Sequence, residues 1–209
     1  MHLYISQIIP SIDCLGPGKR IGIWVQGCSL GCKGCMSPQF ASFNEQSRME
    51  LEEVFQKILC FSLDHTGVTV TGGEPFEQAV AMEALLKMIR EHTHLDLLVY
   101  SGYTLKEIRH GSQAMRNLLQ QADVLIDGRY RHDKPTRKIW RGSDNQVMHL
   151  ISERGDHYKK YVKAEYIGAR PLQISMKAEH GLQIVGIPEP GFINQMFTGM
   201  LDKGIVLSP

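Results

Sequence analysis

The strongest constraint on the fold is a repeated pattern in which a short apolar run stops at a glycine and a helical stripe follows. Arg20 to Gln26 (RIGIWVQ), residues 67–71 (GVTVT), 95–100 (LDLLVY) and 122–127 (ADVLID) read as buried strands, and Gln146 to Ile151 as one more. Between them, Leu51, Val54, Phe55, Ile58 and Leu59 fall on one helical face, as do Met82, Leu85, Leu86 and Ile89. Leu105, Ile108, Met115, Leu118 and Leu119 mark a further helical stretch. Apolar strands alternating with helices predict a mostly parallel sheet covered by helices, wound by right-handed crossovers. Four or five such units are too few for a closed eight-unit barrel. The expectation is α/β: a partial, open parallel β/α barrel with its ligand at the C-terminal ends of the strands.

The last forty residues follow another pattern. Leu172 to Lys177 alternates apolar and polar, Glu179-His180-Gly181 suggests a turn, and Leu182 to Ile187 a returning strand ended by Pro188 and Pro190. Phe192, Ile193, Phe197, Met200 and Leu201 suit a short helix stopped at Gly204. The chain therefore reads as a core over residues 1–165 and a C-terminal β-hairpin plus helix appendage over 166–209.

Composition removes several function classes. Lys and Arg total 23 against 22 Asp and Glu, so the chain gives no strong nucleic-acid signal and no reason to coat an anionic membrane. No apolar run reaches the length of a membrane span, and the first residues show no signal-peptide pattern. Of the 5 cysteines, three fall within the octet Cys28-Ser-Leu-Gly-Cys32-Lys-Gly-Cys35, which suits a metal or redox site in a reducing cytoplasm better than a disulfide framework.

Thiolates at CxxxCxxC spacing converge on a soft metal centre. Structural zinc needs four protein ligands; the fourth would have to come from Cys14, Cys60 or a histidine, and no second CxxC pair is present. An iron–sulfur cluster held by three cysteines keeps one iron free for a ligand. Gly27, Gly31 and Gly34 let the loop wrap tightly and aim its amides at sulfur. Thr71-Gly72-Gly73-Glu74-Pro75 follows the next strand: two glycines expose backbone to a close ligand, and Glu74 offers an acceptor to an ammonium group. An ordinary strand-to-helix turn is the plainer reading of the same residues.

These two motifs in this order resemble the radical S-adenosylmethionine (SAM) superfamily. The chain is most similar to activating proteins of anaerobic ribonucleotide reductase. Val25-Gln26-Gly27-Cys28, Cys32-Lys33-Gly34-Cys35, Tyr100-Ser101-Gly102-Tyr103, Asp123 to Gly128 and Trp140-Arg141-Gly142-Ser143-Asp144-Asn145-Gln146 carry that resemblance over about residues 1 to 155. Gly34 stands where most of the superfamily has an aromatic residue, as it does in the activating-protein branch.

The resemblance implies a radical SAM partial barrel in which Cys28, Cys32 and Cys35 bind a [4Fe-4S] cluster. SAM would chelate the fourth iron beside Gly72, Gly73 and Glu74. One electron would cleave SAM to methionine and a 5′-deoxyadenosyl radical, which takes a hydrogen atom from the substrate. The implied oxidoreductase is an activating enzyme that makes a glycyl radical on a partner protein, fed by a reduced flavodoxin or ferredoxin type donor. One alternative is a stand-alone radical SAM enzyme acting on a small molecule, nucleotide or peptide. Another is a non-catalytic iron–sulfur carrier or zinc-binding module.

Further positions stay open. Ser101 suits ribose or carboxylate binding, or a tight turn. Asp127 suits the SAM carboxylate side through a cation or water, or a capping role. Arg141 to Gln146 suits a closing segment or a solvated loop. Arg129, Arg131, Lys134, Arg137, Lys138 and Arg141, with Asp133 alone opposing, suit a solvated face or a dock for an acidic partner or phosphate. Cys14 and Cys60 read as isolated thiols.

Overall fold

The computed structural model describes residues 1–177 and 181–203. Its elements are β1 (His2–Ile12), β2 (Arg20–Val25), β3 (Arg48–Glu50), α1 (Leu51–Phe61), β4 (Gly67–Gly72), α2 (Ala79–His92), β5 (Asp96–Tyr100), α3 (Leu105–His110), α4 (Gln113–Gln121), β6 (Val124–Asp127), β7 (Val147–Leu150), β8 (Leu172–Lys177), β9 (Gly181–Gly186) and α5 (Phe192–Leu201). Seven strands form one open sheet in the order β3-β1-β2-β4-β5-β6-β7. The strands β2, β4, β5 and β6 are mutually parallel, and each crossover between them contains a helix. β1 and β3 extend one edge and β7 the other, all antiparallel.

The fold is thus α/β with a parallel centre and no closed barrel. The expected mostly parallel sheet needs one amendment: β1 and β3 were not foreseen, and β7 runs against β6. β1 escapes a period-two reading because its register with β2 shifts twice, between Ile5 and Gln7 and between Ile9 and Ile12. Each shift breaks the alternation that would have marked the strand.

Both faces of the parallel strands are buried, which explains their continuous apolar runs. On one face Ile21, Ile23, Val25, Val68, Val70, Leu97, Val99 and Leu125 pack with α1, α2 and α4. On the other, Leu98, Val124 and Ile126 pack under Trp140, Met148 and Tyr158. That second face is completed beside β1 and β2 by the C-terminal hairpin. Val185 and Ile187 bury against Ile9, Ile12, Cys14, Leu15 and Trp24. The antiparallel pair β8–β9 and helix α5 match the expected appendage, and its hairpin shares a core with the sheet. The expected turn at Glu179-His180 and stop at Gly204 lie outside the described residues.

Candidate active site

A cavity of about 380 Å³ opens at the C-terminal ends of the parallel strands. Cys28, Cys32 and Cys35 from the loop after β2 line it, together with Gly72 at the end of β4, Gly73 and Glu74 just after it, Ser101 and Gly102 after β5, and Gly128 after β6. Four strand ends therefore converge on one space, where open parallel sheets place their ligands. A larger opening of about 610 Å³ lies at the other ends of the strands, between Pro17, Thr66, Asp96 and His157, and no cysteine lines it.

The cysteine loop is held from several sides. Gly27 and Cys28 donate backbone hydrogen bonds to Phe40 and Ala41 carbonyls. Backbone amides face the sulfurs: Leu30 faces Cys28, Tyr130 faces Cys32, and Ser37 N–H lies 3.4 Å from Cys35 Sγ. Burial pushes the Cys28 and Cys32 thiols above their usual pKa, so a metal that binds them displaces their protons.

This donor set fits an iron–sulfur cluster. Three thiols line one cavity on one loop. Cys14 is buried elsewhere with its Sγ donating to Val185 O, and Cys60 is exposed on α1. Among the described residues, no three His, Cys, Asp or Glu side chains gather round a single ion. Tetrahedral zinc would need such a gathering, whereas a cubane takes each sulfur at a different corner.

The Gly-Gly-Glu turn is built for contact with that loop. Gly73 N–H donates to Val25 O and Glu74 N–H to Gly27 O, both at 2.8 Å. A Cβ on Gly73 would lie 2.2 Å from Gly27 O, and one on Gly72 (φ +105°) 2.6 Å from Val25 O. Backbone crowding thus requires both glycines, a reason additional to ligand approach.

Glu74 is buried and caps the 3-10 turn Pro75–Gln78. Its Oε1 accepts from Phe76 N–H (3.0 Å) and Ser101 Oγ–H (2.8 Å), and its Oε2 from Gly102 N–H (2.7 Å). Burial outweighs these donors and pushes its pKa up to about 7. A carboxylate offers about four acceptor positions, so one remains, on Oε2, and Glu74 lines the cavity. Ser101 lines the cavity while its Oγ also accepts from Tyr103 N–H.

Asp127 is not among the cavity-lining residues. Its Oδ2 accepts from Leu105 N–H at the start of α3 and lies 3.1 Å from His149 Nε2. Residues 141–146 form a packed wall rather than a solvated loop. Arg141 is buried with its guanidinium on the Tyr161 and Val162 carbonyls, and Gln146 ties Gly142 and Ser143 to Gly128 while lining the cavity. The basic run meets more acids than its sequence shows: Glu107 pairs Arg129, Asp144 pairs Lys138 and Glu189 pairs Arg137.

Residues 14–149 match the family described as 4Fe-4S single cluster domain. The anaerobic ribonucleoside-triphosphate reductase-activating protein of Pasteurella multocida (strain Pm70) is 32% identical over 155 residues, covering 70% of this chain and 97% of that protein. The protein of the same name from Enterobacteria phage T4 is 30% identical over 147 residues, covering 68% and 91%. The chain belongs to the anaerobic ribonucleoside-triphosphate reductase-activating protein family. Among solved structures, QueE from Escherichia coli aligns at 14% identity over 63% of this chain and 73% of that one, with a TM-score of 0.44. The hairpin and α5 of this activating-protein relative lie beyond the matched 4Fe-4S domain. No helix among its described residues is long and apolar enough to cross a membrane.

Sequence reasoning missed one anchor in this member of the activating-protein family. Glu77 accepts Ser29 N–H at 2.9 and 3.1 Å through its two oxygens, and Ser29 Oγ–H at 2.6 Å. Tyr103 Oη approaches the same carboxylate at 3.4 Å. Glu77 stands three residues after Glu74 on the following turn, and no spacing rule marks it. Met36 and Tyr130 also line the cavity unannounced.

Proposed function

We propose that this chain is a radical SAM activase that generates a glycyl radical on a partner of the anaerobic ribonucleotide reductase type. The observation that carries the reading is the convergence of three cysteines and the Glu74 turn on one cavity at the strand ends. The names of the relatives support the partner class.

Cys28, Cys32 and Cys35 would hold the cluster in the cavity that the Gly72–Glu74 turn also lines. A reduced [4Fe-4S] cluster with SAM bound supplies a 5′-deoxyadenosyl radical able to take a hydrogen atom. Glu74 would receive the ammonium of SAM on its remaining acceptor position, and Ser101 and Gly102 fix the carboxylate for that contact. Ser101 also suits ribose at the mouth. Asp127 holds α3 in place behind the cavity and acts on SAM only through that element. Leu30, Met36 and Tyr130 give the cavity apolar wall that keeps water from a reactive radical. A glycine Cα–H on the partner suits this chemistry because both flanking amides delocalise the radical. The electron comes from a reduced flavodoxin or ferredoxin type protein, and the reducing cytoplasm is the fitting compartment.

Anaerobically reconstituted protein, mixed with SAM and a strong reductant, is expected to form 5′-deoxyadenosine. Adding the glycyl-radical partner is expected to give a carbon-centred radical signal by electron paramagnetic resonance. A full cluster with no 5′-deoxyadenosine overturns the chemistry. If 5′-deoxyadenosine forms and the partner stays silent, the substrate assignment falls in favour of a stand-alone modifying enzyme.

A further inference from the structure

The cysteine loop has two faces. The inner face lines the cavity just described. The outer face lines a separate open depression of about 590 Å³. Leu30, Gly31, Cys32 and Tyr130 border both spaces, and Cys32 is the one cysteine they share. A single turn of chain therefore separates the reacting cavity from the surface.

The outer depression is basic. Lys33, Arg129, Arg131 and His132 line it, against Asp133 as its one acid. The carboxylate of Asp133 lies within 2.7 Å of Arg131, and Arg129 is met from outside the depression by Glu107. Both pairs are exposed to solvent, and exposed pairs are weak enough to exchange partners. Three cations gather on this small surface against Asp133 within it and Glu107 at its edge, and Lys33 is the cation for which neither acid is the partner.

We propose that this outer face, centred on Lys33 and Arg131, is the docking surface for an acidic one-electron donor protein of the reduced flavodoxin type. The proposal rests on the reading above, in which SAM and the partner's glycine occupy the inner face. The electron then enters from the outer face, where Cys32 borders both spaces. One electron leaves the donor and crosses there, oxidising the donor and reducing the bound cluster by one equivalent each, with no atom transferred. A small, charged, transient contact is the usual form of such redox encounters, with the field setting the rate of encounter.

The test uses the full, cluster-loaded chain without SAM, and reads bleaching of the cluster's visible absorbance by stopped flow. Two reductants are compared at low ionic strength: a reduced flavodoxin of acidic pI, and reduced methyl viologen, a small cation. Arg131→Glu is expected to lower the flavodoxin rate constant by about tenfold and to leave the methyl viologen rate unslowed. Lys33→Gln is expected to act in the same direction, more weakly. Raising the salt is expected to slow the parent with flavodoxin and to erase the difference between parent and variants. A flavodoxin rate indifferent to Arg131→Glu and to salt overturns the proposal, as does equal slowing with both reductants. ATP that blocks flavodoxin at matched ionic strength, with its own binding lost in Arg131→Glu, assigns the face to phosphate and overturns it too. Failure of SAM cleavage under methyl viologen falls on the proposed function and leaves this docking test unaffected.

Discussion

Glu74 combines a capping role with a buried charge, and its protonation links the two. Its pKa rises from about 4.5 to about 7 because burial outweighs three donated hydrogen bonds. The folded ligand-free chain therefore holds a proton that the unfolded chain releases between those values. The unfolded state binds fewer protons there, so stability falls as pH rises from about 4.5 to 7, by on the order of 3 kcal/mol in total. Urea unfolding across that range is expected to show the fall in the parent and a flatter profile in Glu74→Gln. Equal slopes would mean that Glu74 is ionised throughout. Glu77 makes a different residue-level prediction. Glu77→Gln keeps an acceptor for Ser29, whereas Glu77→Ala removes it. Loss of iron to a chelator is expected to be about tenfold faster in Glu77→Ala and near the parent rate in Glu77→Gln. Parent-like iron retention in Glu77→Ala would show that the loop holds itself.

At the scale of elements, the hairpin is a working part of the sheet's second face. Ile187 is 6% exposed and packs with Val185 in the group around Trp24 and Ile12. Polar ties reinforce the contact: Gln173 donates to Ser11 O, and Gln183 donates to the Gln7 side chain. Arg170, also buried, reaches the Thr136 carbonyl from the start of the hairpin. Ile187→Ala is expected to cost about 2–4 kcal/mol, read as a lower denaturation midpoint with an unchanged slope. Cys14, whose Sγ bonds Val185 O, is expected to become reactive to a thiol reagent in the same variant. A midpoint equal to the parent's would mean that the hairpin only rests on the core.

For the whole molecule, legibility tracked how locally each feature is encoded. The parallel strands were readable because burial on both faces forces unbroken apolar runs that end at turn glycines. The octet that holds Cys28, Cys32 and Cys35, and the Gly-Gly-Glu turn, were readable because each is a short motif of fixed spacing. The hairpin was readable from alternation at residues 172–187. β1 was hidden by its irregular register, and the direction of β7 depends on a long wall segment, 128–146, whose path no local pattern sets. Asp127 illustrates the limit at the site: its place at a strand end suggested a ligand contact, but Leu105, 22 residues earlier, takes its carboxylate. Glu77 is the reverse case, an ordinary-looking surface acid whose partner sits 48 residues away.

The meeting of Gly73 with the Gly27 carbonyl has a consequence for how such a protein can change over generations. A methyl is the smallest side chain that can replace a glycine hydrogen, and this junction has no room for one. The two turns are therefore yoked: neither can drift in shape unless the other drifts with it. Novelty in a lineage built on this architecture is pushed outward, to the rim and the tail, where new chain can be added without disturbing the seam.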